Sequence, residues 1–256
     1  MIQAYGVSDI GCVRKTNQDR ILVDDAAGLY VVADGMGGHG HGEVAAELAV
    51  ATTQFYVQAS RDRYDASWPF GYEVERSLDE NRLRTAIQLA NRQVWKNAEA
   101  SPEHAGMGTT VIAALVTGNQ MAVGNVGDSR LYLLRGGEMQ QISTDDSWVA
   151  NMVRSGALTP AQAREHSMRN VLTQAIGSQT NIEVHTSDQV LEDGDIVFLS
   201  TDGVHGVVDE AVLRSILFST HELDRAARQI VQAAKENGAP DNASCILLRY
   251  ENGGAK

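Results

Sequence analysis

The sequence predicts an α+β fold in which antiparallel sheets are covered by helices. Three observations carry this. Short apolar runs bounded by Gly, Asp and Asn gather in three stretches of the chain. The loops joining neighbouring runs are too short for a parallel crossover, so adjacent strands must be antiparallel. Blocks with helical periodicity stand between these stretches, as in sheets covered by helices.

The first strand stretch holds residues 2–7, 20–24 and 29–33. The second holds 110–116, 121–126, 131–134 and 139–142, with Gly136-Gly137 as a two-residue hairpin signal between the last two. The third holds 183–190, 195–199 and 245–250. Helices are expected over 43–56, where Ala45, Ala46, Ala49 and Thr52 share a side, and over 83–99, where Leu83, Ile87, Ala90 and Val94 recur. A third helix is expected over 223–236, ending at Gly238 with Pro240 just beyond. Two segments, 60–81 and 143–178, read as insertions or ordinary connections. The second carries short helical pieces at 147–155 and 160–165 and has the look of a surface flap.

The chain of 256 residues has room for one large domain or two small ones. Without an internal repeat, low-complexity tract or Pro/Ser-rich linker, it reads as one domain over 1–256 with the flap inserted at about 143–178. An apolar share of 43% with 21% charged residues excludes a disordered chain. The net charge of −12 argues against nucleic acid or an anionic membrane as partner, because phosphate contacts need clustered Lys and Arg. The first residues lack the basic start and apolar run of a secretory signal, and no stretch is long and apolar enough to span a bilayer. A cytoplasmic protein is expected. Cys12 and Cys245 form no metal or disulfide pattern and are expected as buried free thiols.

Four aspartates stand beside turns at the ends of strand-like runs: Asp34, Asp128, Asp202 and Asp241. A lone Asp-Gly is usually a plain turn, and sequence alone does not bring the four together. Were they to converge, each close pair would repel by about 4 kcal/mol at 4 Å and an effective dielectric near 20. Bound cations or protonation would then be required. Carboxylates, carbonyls and waters are hard ligands that favour magnesium or manganese over zinc.

Gly35, Gly37 and Gly40 form a G-x-G-x-x-G between a strand and a helix, the spacing of a dinucleotide-binding turn. Asp34 directly before it would oppose a pyrophosphate, and no second parallel strand follows the helix. A tight turn whose carbonyl faces a cation fits the same glycines. Neither cysteine heads a phosphate-cradling Cys-x5-Arg loop, which argues against a cysteine-nucleophile phosphatase.

Six pieces, in this order along the chain, carry a resemblance: RKTNQDR (14–20), VVADGMGGHGHGE (31–43), GTT (108–110), VGDSR (126–130), STDGV (200–204) and PDNAS (240–244). Together they resemble the bacterial branch of the PPM family, protein phosphatase type 2C. The resemblance implies a four-layer α-β-β-α sandwich of two antiparallel sheets flanked by helices. It implies two central Mn2+ or Mg2+ ions and, in bacterial members, a third. Asp34 matches the acid that bridges the central pair, and Gly35 the residue whose carbonyl ligates one of them. Asp202 and Asp241 match ligands of the other ion, Asp128 with Asp202 the third-ion site, and Asp19 the acid holding metal-bound water. Arg14 matches the phosphate-binding arginine, with Lys15 a solvated companion, and His39 the general acid for the leaving oxygen. The implied reaction is hydrolysis of phosphoserine or phosphothreonine in proteins by direct attack of a metal-bridging hydroxide. A Ser/Thr kinase and its substrates are the implied partners. A catalytically weak phosphoprotein-binding module of the same fold is the alternative, and a hydrolase of small phosphate esters a further one. The remaining histidines read as surface or structural. Two departures stand out. Asp145-Asp146-Ser147 has an acid where relatives carry a histidine, and Val204-His205-Gly206 replaces a leucine-led continuation.

Overall fold

The computed structural model describes residues 1–37, 41–61 and 67–252. Two five-stranded antiparallel sheets pack face to face. One has the order β1 (Ile2–Asp9), β12 (Ala243–Tyr250), β11 (Ile196–Ser200), β8 (Arg130–Arg135), β9 (Glu138–Gln141). The other has the order β10 (His185–Val190), β7 (Gln120–Val126), β6 (Val111–Thr117), β3 (Leu29–Ala33), β2 (Arg20–Asp24). A short ladder of β4 (Gly35–Met36) with β5 (Gly108–Thr109) stands apart.

Strand alternation builds the layers. On β3, Tyr30 and Val32 point inward to meet Ile112, Val123, Leu131, Val197 and Ile246 between the sheets. Leu29, Val31 and Ala33 point outward against α1 (Gly42–Arg61) and α2 (Leu78–Ala100). On the far side, Phe198, Cys245 and Leu247 face α5 (Asp202–His205), α6 (Glu210–Ser219) and α7 (Leu223–Glu236). The four-layer sandwich expected from the resemblance is the observed architecture. The predicted strands and the helix over 223–236 are present, as is the hairpin, with Arg135 paired to Glu138 across Gly136 (φ +58°) and Gly137 (φ +90°).

Two expectations need correction. The segment 60–81 is partly helical: Ser60 and Arg61 close α1, and α2 begins at Leu78 behind a capping box of Ser77 and Glu80. Cys12 is exposed, whereas Cys245 is buried with its thiol pushed up to about 12 by that burial. The dinucleotide-type crossover that the sequence argued against is not formed, since both neighbours of β3 run antiparallel to it. Within 143–178 lie α3 (Trp148–Arg154) and α4 (Pro160–Glu165). Among the described residues, no helix is long and apolar enough to cross a membrane.

Candidate active site

Strand register brings the acids to one edge of the sandwich. Arg20, first in β2, pairs with Ala33, last in β3, so Asp19 and Asp34 leave adjacent strand ends. Ser200, last in β11, pairs with both Cys245 near the start of β12 and Arg130 at the start of β8. Asp202 opens α5 directly after β11, and Asp241 and Asp128 lie in the bends beside β12 and β8.

Backbone packing fixes each turn. The Asp34 carbonyl accepts from Thr110 N (2.9 Å) and Thr109 Oγ1 (2.9 Å), while its amide donates to Thr110 Oγ1 (3.0 Å). A Cβ on Gly35 would meet Gly42 O at 2.2 Å and Gln18 O at 2.5 Å, so only glycine allows the approach. A Cβ on Gly203 would meet Asn242 O at 1.8 Å, which locks the Asp202 turn against the Asp241 turn. Asn242 then holds the loop that carries Arg14. It accepts from Gln18 N (2.8 Å) and donates to Ile10 O (2.9 Å) and Thr16 O (3.0 Å).

Asp19 is buried, with one oxygen accepting from Thr201 Oγ1 at 3.1 Å and the other without a partner among the described residues. Arg14, half exposed, donates to Asp241 Oδ2 at 2.5 Å. Lys15 is exposed, as expected of a solvated companion. His39 lies outside the described residues.

The electrostatics report how close the acids are. Burial raises Asp34 well above the usual carboxylate range, and the charges of Asp19, Asp202, Asp128 and Asp241 raise it further. Burial pushes Asp19 up to about 7 and Asp128 up to about 8. Asp202 is raised by burial and by Asp241, against a hydrogen bond shared with Asp34 and the pull of Arg14. Two carboxyl groups in such contact must share a proton or a cation. Among the described residues, no three His, Cys, Asp or Glu side chains stand as a ready-made cage for one ion. The donor set nevertheless suits a hard divalent cation: all oxygen, densely anionic, with one buried carboxylate oxygen unpartnered among the described residues.

Sequence reasoning missed several supporting groups. Asn242 and Thr201 are described above. His205, read from the sequence as surface or structural, is structural: its Nδ1 lies 2.9 Å from Ser200 Oγ, and burial, then Arg130, lowers its pKa well below the usual imidazole value, so it is neutral. Its i+3 spacing from Asp202 was the available signal.

Residues 13–239 match the protein phosphatase 2C family. The chain belongs to that family. The serine/threonine phosphatase stp of Listeria innocua is 33% identical over 244 residues, covering 94% of this chain and 93% of that one. The crystal structure of the Mycobacterium tuberculosis serine/threonine phosphatase PstP/Ppp superposes with a TM-score of 0.84 at 31% identity, covering 98% and 99% of the two chains. The catalytic domain of PstP in complex with two manganese ions gives a TM-score of 0.83 at 29% identity, again covering 98% and 99%. The PPM assignment that the motifs implied is thereby shown, and relatives across the whole fold are protein Ser/Thr phosphatases.

Proposed function

We propose that this protein phosphatase 2C member is a divalent-cation-dependent hydrolase of phosphoserine and phosphothreonine in proteins, active as one phosphatase domain over 1–256 with a flap at 143–178. The observation that carries the reading is the strand register that gathers Asp19, Asp34, Asp128, Asp202 and Asp241 at one end of the sandwich, close enough for the other four charges to act on Asp34. Such a cluster is tolerable at neutral pH only with protons or cations among the carboxylates.

Asp34, the Gly35 carbonyl, Asp202 and Asp241 would hold two central ions, and Asp128 with Asp202 a third. Manganese or magnesium suits these donors, and the two manganese ions of the PstP relative support the choice. When bound, the ions would neutralise the acids, acidify a water for attack on phosphorus and stabilise charge on the phosphoryl oxygens. The chain's own groups do the rest. Arg14 reaches from an exposed loop and offers a planar fork to phosphoryl oxygens, orienting the ester. Asp19, fixed by Thr201, would accept a hydrogen bond from a water with its other oxygen and so orient that water. His39 is proposed from the resemblance as proton donor to the departing serine or threonine oxygen. Phosphorylated proteins would be the substrates and a Ser/Thr kinase the opposing activity. A cytoplasmic setting suits the unbridged Cys12 and Cys245.

The test is hydrolysis of p-nitrophenyl phosphate, a phosphothreonine peptide and free phosphometabolites with manganese and with chelator. Metal-dependent peptide turnover lost in Asp34→Asn and Asp202→Asn is expected. Unchanged activity in those variants, or turnover of metabolites alone, refutes the proposal.

A further inference from the structure

Asp146, an acid where the resemblance implies a histidine, lies at the centre of a buried network. Asp146 is 6% exposed. Its Oδ1 lies 2.7 Å from His185 Nε2 on β10, and its Oδ2 accepts from Gly127 N at 3.0 Å and Gln174 Nε2 at 3.2 Å. Its backbone amide donates to Gly127 O at 2.9 Å, and its carbonyl accepts from Thr173 N at 2.8 Å. Asp146 opens the 143–178 segment, whereas Thr173 and Gln174 close it. One residue therefore joins both ends of the flap to β10 and to the turn immediately before Asp128.

Gly127 passes the constraint onward. Its φ is +98°, and a Cβ there would meet Thr110 Cγ2 at 2.6 Å, so its backbone rests directly on Thr110. Thr110 is the residue whose amide and hydroxyl bracket the Asp34 backbone, and its hydroxyl also meets Ser129 Oγ at 2.7 Å. A displaced Gly127 would shift Asp128 through the chain and Asp34 through Thr110.

We propose that Asp146, held by His185, is a positioning residue that ties the flap's two ends to the Gly127 turn and so sets where Asp128 and Asp34 stand. This rests on the reading of those acids as cation ligands. Removing a group that orients a ligand typically lowers metal affinity 10- to 100-fold.

The variants are Asp146→Ala, Asp146→Asn, His185→Gln and the double Asp146→Ala/His185→Gln, with Leu217→Ala as a control. Leu217 is buried under the opposite helical layer, so its loss lowers stability without touching the network. Two measurements are made: amide hydrogen exchange in chelator, and calorimetric titration with manganese. In Asp146→Ala, the Gly127 and Thr173 amides should exchange at least about tenfold faster, with β11 amides unchanged relative to wild type. Manganese affinity should fall about tenfold or more, kcat should fall with it, and Leu217→Ala should retain wild-type affinity. The double variant should be no worse than Asp146→Ala alone, because His185 acts through the acid. Should Asp146→Ala not fold, Asp146→Asn and His185→Gln carry the same two measurements with smaller effects. Wild-type manganese affinity in folded Asp146 and His185 variants overturns the proposal, as does an equal loss in Leu217→Ala. If the wild-type protein binds no manganese, the functional reading fails, and amide exchange alone decides this one. Faster exchange at Gly127 then upholds the tie, and unchanged exchange overturns it.

Discussion

Replacing Asp19 by asparagine should stabilise the cation-free protein, and increasingly so as pH rises. Asp19 is buried with one unpartnered oxygen, and burial outweighs the hydrogen bonds from Ser244 and Thr201, while Asp202 and Asp241 add repulsion. Its pKa thus climbs from an ordinary 3.8 to about 7. A carboxyl raised in this way keeps its proton more firmly folded than unfolded. The stability it contributes is complete below about pH 4 and is lost as pH rises through about 7. The full displacement corresponds to about 4 kcal/mol, of which under about 2 kcal/mol has been lost at pH 5. Asparagine keeps the shape and carries no titrating charge. Between pH 5 and pH 8 the advantage of Asp19→Asn should therefore widen by about 3 kcal/mol, or about 6–12 °C in Tm for a domain of this size. Calorimetric melts in chelator at pH 5, 6.5 and 8 measure it. Manganese should raise the wild-type Tm more at pH 8 than at pH 5, because cation and proton compete for the same oxygens. An advantage that is flat or shrinking with pH refutes the reasoning.

Two further outcomes follow from the site's geometry. Arg14→Ala should lower kcat/KM on a phosphopeptide by at least about tenfold while moving stability by about 1 kcal/mol or less, since its ion pair with Asp241 is half exposed; Arg14→Lys should recover little, because an ammonium lacks the planar fork. Gly203→Ala should cost several kcal/mol in a denaturant melt, because its Cβ would enter Asn242 O at 1.8 Å, and a near-neutral result would show that the two turns are not locked together.

The strands were legible because their apolar runs are short, alternate or are wholly buried, and end at turn residues; β3, buried along its whole length, is the plainest. The start of α2 was harder to read. Glu80, Asn81 and Arg82 are buried polar residues there, and they interrupt the apolar period that marks a helix. The Ser77 and Glu80 capping signal was in the sequence and outweighs that interruption. The acids were legible as turn residues, but their convergence depends on which strands lie side by side, and spacing along the chain does not carry that. Asp34 and Asp241 are 207 positions apart, beside strands of different sheets, and become neighbours only because the two sheets pack face to face. Asp146 read as a break in a pattern; that His185 faces it required the pairing of β10 with β7.

The register of β1 with β12 has a practical consequence. Ile2 pairs with Tyr250 at one end of the two strands, and Asp9 pairs with Ala243 at the other, beside the acids. Residues 2 and 250 are thus side by side and about 25 Å from the chemistry, the length of an eight-residue strand. A fusion partner attached near either residue would hang from the back of the molecule. A short tether between those two positions would yield a circular chain, reopenable at an exposed turn such as Gly136-Gly137 without disturbing the carboxylates.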